Sequence, residues 1–428
     1  MTNDLEKRTI MRISLRIVPF IMFLYFIAFM NRVHISFAAL TMNKDLGFSA
    51  SVYGFGAGIF FLGYFLFEVP SNLILEKVGA RLWIARVMVT WGIISGANAF
   101  IVGANSFYAV RFLLGVAEAG FFPGIILYLS YWFPARHRAG VTALFMAAAP
   151  ISTALGSPIA AALLEMNGYW GLAGWQWLFI TEAIPAVVLG FVVFFYMTDR
   201  PELAQWLPDD QKQWLVAEMA IEHAKTAGHA SHSILRGLAD PRVLALSLVY
   251  FGTSAGLYTL GIWAPIIIKQ LGVSSLMVGF LNMVPPTVSV VAMVLWARHS
   301  DRTGERTWHV VLACLLAAAG LAWAGLTSGI VGVVAALTFV NIGISCAKPP
   351  LWSMPTMFLS GSAAAAGIAA INAFGNLGGF AGPAMIGWLK DWTGSYLGGL
   401  WFVAALLLLS ATLTLILGRS AKRSPANA

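Results

Sequence analysis

The sequence predicts an all-α polytopic membrane protein with twelve transmembrane helices in two pseudo-symmetric six-helix halves, on three observations. The 428 residues are 59% hydrophobic and 10% charged, with a mean hydropathy of +0.80, which leaves too few polar side chains to cover a soluble globule. The apolar runs are of helix length and lack ten-residue polar/apolar alternation, pointing to a helical bundle rather than a barrel. Finally, a loop pattern recurs at one fixed offset, with a copy on each side of a single long polar stretch.

In chain order the spans fall at about 17–40, 52–75, 82–102, 107–130, 139–164, 175–197, 243–268, 277–297, 309–327, 331–357, 363–389 and 397–418. Several exceed the roughly 20 residues a bilayer needs, so tilt or protruding ends are expected. The first follows Lys7, Arg8, Arg12 and Arg16 as a signal peptide would. Its apolar run is too long and lacks a convincing cleavage site, so it reads as an uncleaved helix.

Basic residues orient the bundle. Segments on the N-terminal side of the membrane hold 20 of the 26 Lys and Arg, whereas the opposite loops hold Lys44, Lys269 and Lys390. By the positive-inside rule both termini and the central loop are cytoplasmic. The net charge of +8 therefore reflects topology and suggests no nucleic-acid partner. Cys314 and Cys346 lie in separate apolar runs, suggesting neither a disulfide framework nor a metal site. No cofactor is expected.

These boundaries divide the chain into an N-terminal half (1–197), a linker (198–242), a C-terminal half (243–418) and a tail (419–428). Within the linker, Pro208-Asp209-Asp210 makes a helix start, and Trp214, Leu215, Met219 and Ile221 give a partly apolar face for a helix on the cytoplasmic surface. Residues 228–233 (GHASHS) read as flexible, with too few further ligands around their two histidines for a metal site.

The repeat joins Glu76-Lys77-x-Gly79-x-Arg81-x-Trp83 to Asp301-Arg302-x-Gly304-x-Arg306-x-Trp308, each position offset by 225, and Pro158 to Pro383 at the same offset. Six spans per copy make the halves parallel. Each pattern falls between the second and third spans of its half, where glycine permits a tight turn and the acid can bind a helix N-terminus or a basic group. One reading is topology signalling. The other is a cytoplasmic latch made and broken as the halves rock.

Four charged residues fall at membrane depth. Arg111 and Glu118, seven residues apart, share a helix face about 10 Å apart along the axis. A charge there costs about 2.5–3.5 kcal/mol on insertion scales, so it normally faces a bundle interior or aqueous cavity. A mutual ion pair that only holds helices together would explain these two residues, but Arg32 has no acidic neighbour in sequence. Arg32, Arg111 and Lys348 against Glu118 leave a net charge of +2, which attracts anions. Glu68 and Glu182 are read as lying nearer span ends. Guanidinium groups hold carboxylates through paired, charge-assisted hydrogen bonds, so Arg32 and Arg111 suit one or two carboxylate groups. Lys348 either meets a second carboxylate, favouring a dianion, or snorkels between helices.

His34 is titratable near neutral pH but points about 200° around the helix from Arg32, so its expected role is a hydrogen bond to another helix. Phe29, Tyr64, Tyr258, Trp263 and Trp352 are candidates to line the cavity and stack on an aromatic acid, or are simply interfacial, and Asn31 and His34 are further candidates to line it. Asn372 and Asn376, one turn apart, either bind substrate or bridge helices.

The loop patterns EKVGAR and SDRTGER with the six-plus-six layout resemble the major facilitator superfamily. The stretches NRVHISFAALTMNKDLGFS (31–49), RFLLGVAEAGFFPG (111–124), YLSYWFPARHRAG (128–140), WQWLFITEAIPA (175–186) and INAFGNLGGFAGP (371–383) narrow the resemblance to its anion:cation symporter branch. That branch includes bacterial tartrate, galactonate, phthalate and hydroxyphenylacetate permeases. The resemblance implies the major facilitator fold and a substrate-binding arginine at Arg32. It also implies an arginine and a proton-carrying glutamate at Arg111 and Glu118, a polar position at Tyr64, and asparagines at Asn372 and Asn376. Two departures stand out. Asn31 occupies the place of an aspartate that relatives often use in proton coupling, and Lys348 replaces an expected small residue.

The expected function is proton-coupled symport of a small organic carboxylate, tartrate-like or aromatic, by alternating access. A substrate carboxylate that takes Arg111 would leave Glu118 free to accept a proton. The alternatives are an organic anion exchanger or exporter without net proton coupling, and a membrane sensor of organic acids. No HExxH or P-loop pattern appears, and the midplane charges form no nucleophile–base pair, so an enzyme is not expected. The expected setting is a bacterial inner membrane, as a monomer whose partners are substrate, protons and the bilayer.

Overall fold

A computed structural model describes residues 2–227, 240–357 and 361–422, and among these it contains helices and no strands. Residues 228–239, which include the GHASHS stretch, and the end of the tail from 423 lie outside the described residues. The first half comprises α1 (Thr2–Asp45), α2 (Ala50–Val78), α3 (Ala80–Ala97), α4 (Ala104–Glu118), α5 (Phe121–Trp132), α6 (Ala135–Met146), α7 (Ala148–Leu164) and α8 (Gly174–Tyr196). A linker helix α9 (Asp209–Ala227) follows. The second half comprises α10 (Pro241–Lys269), α11 (Ser275–Thr303), α12 (Thr307–Leu326), α13 (Ile330–Ser353), α14 (Gly361–Asn376), α15 (Gly378–Thr393) and α16 (Leu397–Lys422).

Ten candidate spans are long and apolar enough to cross a membrane, with α4–α5 and α6–α7 each counted once. With α3 and the α14–α15 pair the passes number twelve. Of the expected spans, 107–130 is broken at Ala119-Gly120, whereas 139–164 and 363–389 stay right-handed helical through Ala147 and Leu377. The first helix begins at Thr2, so Lys7 to Arg16 lie on its first turns rather than ahead of it.

The repeat is present in the geometry. Helices α2 and α11 are both 29 residues long and begin and end 225 positions apart. Each carries the contact between halves in the same way. Helix α2 packs on α15 and α11 packs on α7, and those partners contain the equivalent prolines Pro383 and Pro158. The approaches are backbone-close, with a Cβ built on Gly54 falling 2.5 Å from the Pro383 carbonyl oxygen and one on Gly279 2.9 Å from that of Ser157. Small residues let membrane helices approach this closely. These contacts lie toward the end of the bundle remote from the termini.

Linker helix α9 seats Leu215 and Met219 in the core of the first half, while Ile221 is exposed. Ion pairs hold it there, with Arg136 reaching both Glu218 (2.6 Å) and Glu6 (2.7 Å) and Arg138 reaching Glu222 (2.7 Å).

Candidate functional site

Two features of local sequence build the centre of the first half. Gly115 on α4 lies so close to α2 that a Cβ would fall 2.0 Å from the Phe60 carbonyl oxygen, which sets Phe60 and Tyr64 of α2 against the face of α4 that carries Arg111 and Glu118. Immediately after Glu118 the helix breaks. Gly120 adopts φ +88°, a left-handed conformation in which glycine is unstrained. The Ser71 hydroxyl donates to the buried Ala119 carbonyl at 2.6 Å and accepts from Trp83 Nε1 at 2.9 Å. Glu118 is thus the last residue of α4, held at a fixed stop by α2 and α3.

Glu118 does not pair with Arg111. Its Oε1 accepts from Arg32 Nη2 at 2.9 Å, and Arg32 Nη1 donates to the Tyr258 hydroxyl at 3.0 Å, across the seam onto α10. Arg32 is also stacked near Phe29, Phe60 and Tyr258, 5.1–5.6 Å from their centroids. The acid absent from Arg32's sequence neighbourhood is therefore supplied by α4. Arg111 is buried and donates through long bonds to Asn31 Oδ1 (3.5 Å) and the Ala57 carbonyl (3.4 Å). Tyr64 is buried beside these groups, its ring against that of Phe60. Lys348 is partly exposed on α13. Among the described residues it has no hydrogen-bond or ion-pair partner, and the charge that acts on it is Arg32.

Glu68 and Glu182 are not span-end residues satisfied by water. Both are buried well inside α2 and α8, at 6% and 3% exposure. Asn372 donates to Glu68 Oε1 at 3.1 Å, joining α14 to α2 across the seam, and Asn376 is buried one turn further on. The midplane charge is therefore smaller than the sequence count implied. Glu68 was legible in the sequence, since it stands one turn after Tyr64 on the same helix face.

Asn31, His34, Trp263 and Trp352 each meet a neighbouring helix. Asn31, 1% exposed, donates to Ser95 at 2.8 Å inside the first half. His34 is equally buried and faces α8, its Nδ1 3.3 Å from Glu182 Oε2. Trp263 is buried in the seam, donating to the Pro383 carbonyl at 3.3 Å and meeting Tyr53 edge-on. Trp352 packs edge-on against Tyr250 and is partly exposed. The letters Gly252-Thr253-Ser254-Ala255-Gly256 match a G-x-S-x-G pattern, but they lie buried within continuous helix α10 rather than at a strand-to-helix turn, so they form no nucleophile elbow.

Residues 21–383 match the Major Facilitator Superfamily. The chain belongs to that superfamily. It is a polytopic membrane transporter and not an enzyme. A protein of Agrobacterium vitis named "Putative tartrate transporter" is 72% identical over 421 residues, covering 98% of this chain and 97% of that protein. An Acinetobacter baumannii protein named "Quinolone resistance transporter" is 41% identical over 414 residues, covering 96% of this chain and 95% of that one. In fold, the chain is similar to the crystal structure of a bacterial homolog of the human lysosomal transporter Spinster, described as inward-facing and unoccupied. The TM-score is 0.80 at 15% identity, with 97% of this chain and 99% of that one covered.

Among the described residues, neither repeated major facilitator loop bonds to the opposite half: the first meets Asp199 at the start of the linker, and the second bonds within its own half. Gly79 turns at φ +91° and packs on Asp199, which accepts from the Arg81 backbone N–H at 2.8 Å and lies 3.7 Å from its Nε. Glu76 and Lys77 are exposed. In the second half Gly304 turns at φ +67°, Arg306 pairs with Asp301 at 2.7 Å, and Arg302 is exposed. A seam contact that the sequence reading did not anticipate lies at the opposite end. Asp391, after α15's Lys390, accepts from the Ala50 and Ser51 N–H groups at 3.1 and 2.7 Å, capping α2 from the other half.

Proposed function

We propose that this transporter is a proton-coupled symporter that imports a small dicarboxylate of the tartrate type by alternating access. The observation that carries the reading is the shared guanidinium of Arg32, bonded at once to Glu118 in one half and Tyr258 in the other. A substrate carboxylate competes with Glu118 for that guanidinium through the paired geometry arginine favours. Displaced from its cation in a buried site, Glu118 takes up a proton, so anion binding and proton binding go together. The second carboxylate meets Lys348, whose ammonium has no partner among the described residues. The name of the 72% identical relative supports the tartrate type over an aromatic acid.

Residues 1–197 and 243–418 are the moving halves, joined by 198–242, with the termini and linker at the cytoplasmic face of a bacterial inner membrane and the protein acting as a monomer. The repeated loops serve as a latch in the opposite conformation, since here the first bonds to the linker and the second within its own half. An exchanger or exporter without net proton coupling is the second reading, favoured by Asn31 and by the name of the Acinetobacter relative.

The test is uptake into proteoliposomes of labelled tartrate, galactonate, phthalate and 4-hydroxyphenylacetate, with and without an inward proton gradient. Accumulation of tartrate only with the gradient supports symport. Gradient-independent equilibration or counterflow alone supports the exchanger.

A further inference from the structure

We infer that the buried pair of His34 on α1 and Glu182 on α8 is a second proton-binding site, linked to Arg111 by a chain of side-chain hydrogen bonds and separate from Glu118. The inference rests on the proton-coupled reading above. Both side chains are 1% exposed, with Nδ1 and Oε2 3.3 Å apart. Among the described residues, neither ring nitrogen of His34 nor Oε2 of Glu182 has a hydrogen-bond partner, although all three are buried. Buried polar groups are normally satisfied, and an imidazole facing a carboxylate without a bond costs stability. In the Nε2–H tautomer the Nδ1 lone pair faces Oε2, and one added proton bridges these two atoms, leaving Nε2 alone unpartnered.

The other carboxylate oxygen ties the pair to the substrate-facing charges. Glu182 Oε1 accepts from Ser95 Oγ at 3.1 Å, Ser95 Oγ accepts from Asn31 Nδ2 at 2.8 Å, and Asn31 Oδ1 accepts from Arg111 Nη1 at 3.5 Å. The groups facing the pair are few. From α1 there is Asn31, from α3 Ser95, and from α4 Arg111 at the far end of the hydrogen-bond chain, with Glu118 on the same helix. Helix α7, also packed on α8, contains no titratable residue. An anion that draws Arg111 away from Asn31 shifts this chain at its first bond and weakens the cationic influence on Glu182, and the pair answers by taking one proton from solvent.

With a dianion, Glu118 and this pair each carry one proton and transport is electroneutral. With Glu118 alone, one negative charge moves with each substrate. The experiment measures steady-state tartrate accumulation in proteoliposomes against the imposed pH difference at clamped potential. Two coupled protons give about a hundredfold change in accumulation per pH unit and one gives about tenfold. The expected result is about hundredfold for the native protein and about tenfold for His34→Asn and Glu182→Gln.

A hundredfold slope retained in His34→Asn overturns the second site while leaving symport standing. A native protein that accumulates no acid under any gradient overturns the symport reading and this inference with it. If neither variant yields folded protein, calorimetry on the native chain decides. Tartrate binding measured in buffers of different ionisation enthalpy reports the protons taken up, where about two supports the pair and about one overturns it.

Discussion

Arg32 Nη2 lies 2.9 Å from Glu118 Oε1, and the same guanidinium reaches Tyr258 on the other half at 3.0 Å. One side chain thus joins the expected proton carrier, the expected anion site and the seam along which the halves must part. Anything that competes for this guanidinium affects all three.

Glu118→Gln removes the proton carrier but leaves an acceptor for Arg32. Proton-driven accumulation of substrate is expected to fall to about tenfold per pH unit with the His34–Glu182 pair still coupled, or to simple equilibration if Glu118 is the sole carrier, while exchange of labelled for unlabelled substrate continues. Native-level accumulation in this variant would remove Glu118 from the coupling. Arg32→Lys loses the forked geometry, and at about 1.5–3 kcal/mol for a charge-assisted bond the substrate should bind roughly 10- to 100-fold more weakly.

Lys348→Ala tests the dianion. If the ammonium meets a second carboxylate, its removal costs dianions about 1.5–3 kcal/mol, or roughly 10- to 100-fold in affinity, and costs monoanions little. Competition uptake with a paired panel of mono- and dicarboxylates reads this out. Equal losses for both classes would assign Lys348 to packing.

The seam away from the termini is tight enough to be perturbed by a single methyl group. A Cβ on Gly387 would fall 2.2 Å from the Ala50 carbonyl oxygen, and overpacking of this kind costs about 1–3 kcal/mol. Gly387→Ala should therefore shift the population away from closure at this end by roughly tenfold or more. Spin labels at Lys44 and Ser395 should report longer distances than in the parent, and an unchanged distribution would show that the seam adjusts elsewhere. Asp391→Ala should act in the same direction by removing the cap on α2, at about 1 kcal/mol.

Glu305, in the turn before α12, should make stability depend on acid pH. Burial pushes its carboxyl up, but hydrogen bonds from the Trp308 N–H and from the side chain and N–H of His309 outweigh this and hold it below the ordinary 4.5. A depressed carboxyl contributes stability that is fully present above its unfolded value and is lost as pH falls through the lower folded value. The melting temperature of the purified protein should therefore drop below about pH 4.5 more steeply than that of Glu305→Gln. The variant should melt lower at neutral pH, by the equivalent of about 1 kcal/mol for a lost helix cap.

Much of the architecture follows from local rules. Apolar run length set the number of passes, and the offset of 225 anticipated the matched helices α2 and α11, because each copy repeats its own turn chemistry. The inward charges Arg111 and Glu118 were legible because membrane-depth ions must face protein or water. Which cation meets which carboxylate was not. Helical periodicity puts Arg111 and Glu118 on one face, but two turns separate them, and it says nothing of a neighbouring helix that brings Arg32 to 2.9 Å. The break beside Glu118 was hidden for a similar reason. A glycine allows a break in any apolar helix, but Ser71 on another helix satisfies the carbonyl that this one leaves unpaired. His34, Glu182, Glu68 and Asp391 likewise acquire their partners from helices distant in the chain. Spans and faces depend on each segment's own periodicity and its transfer into lipid, whereas ion pairs and caps depend on how segments far apart in sequence approach within about 3 Å, which the packing of the whole bundle determines.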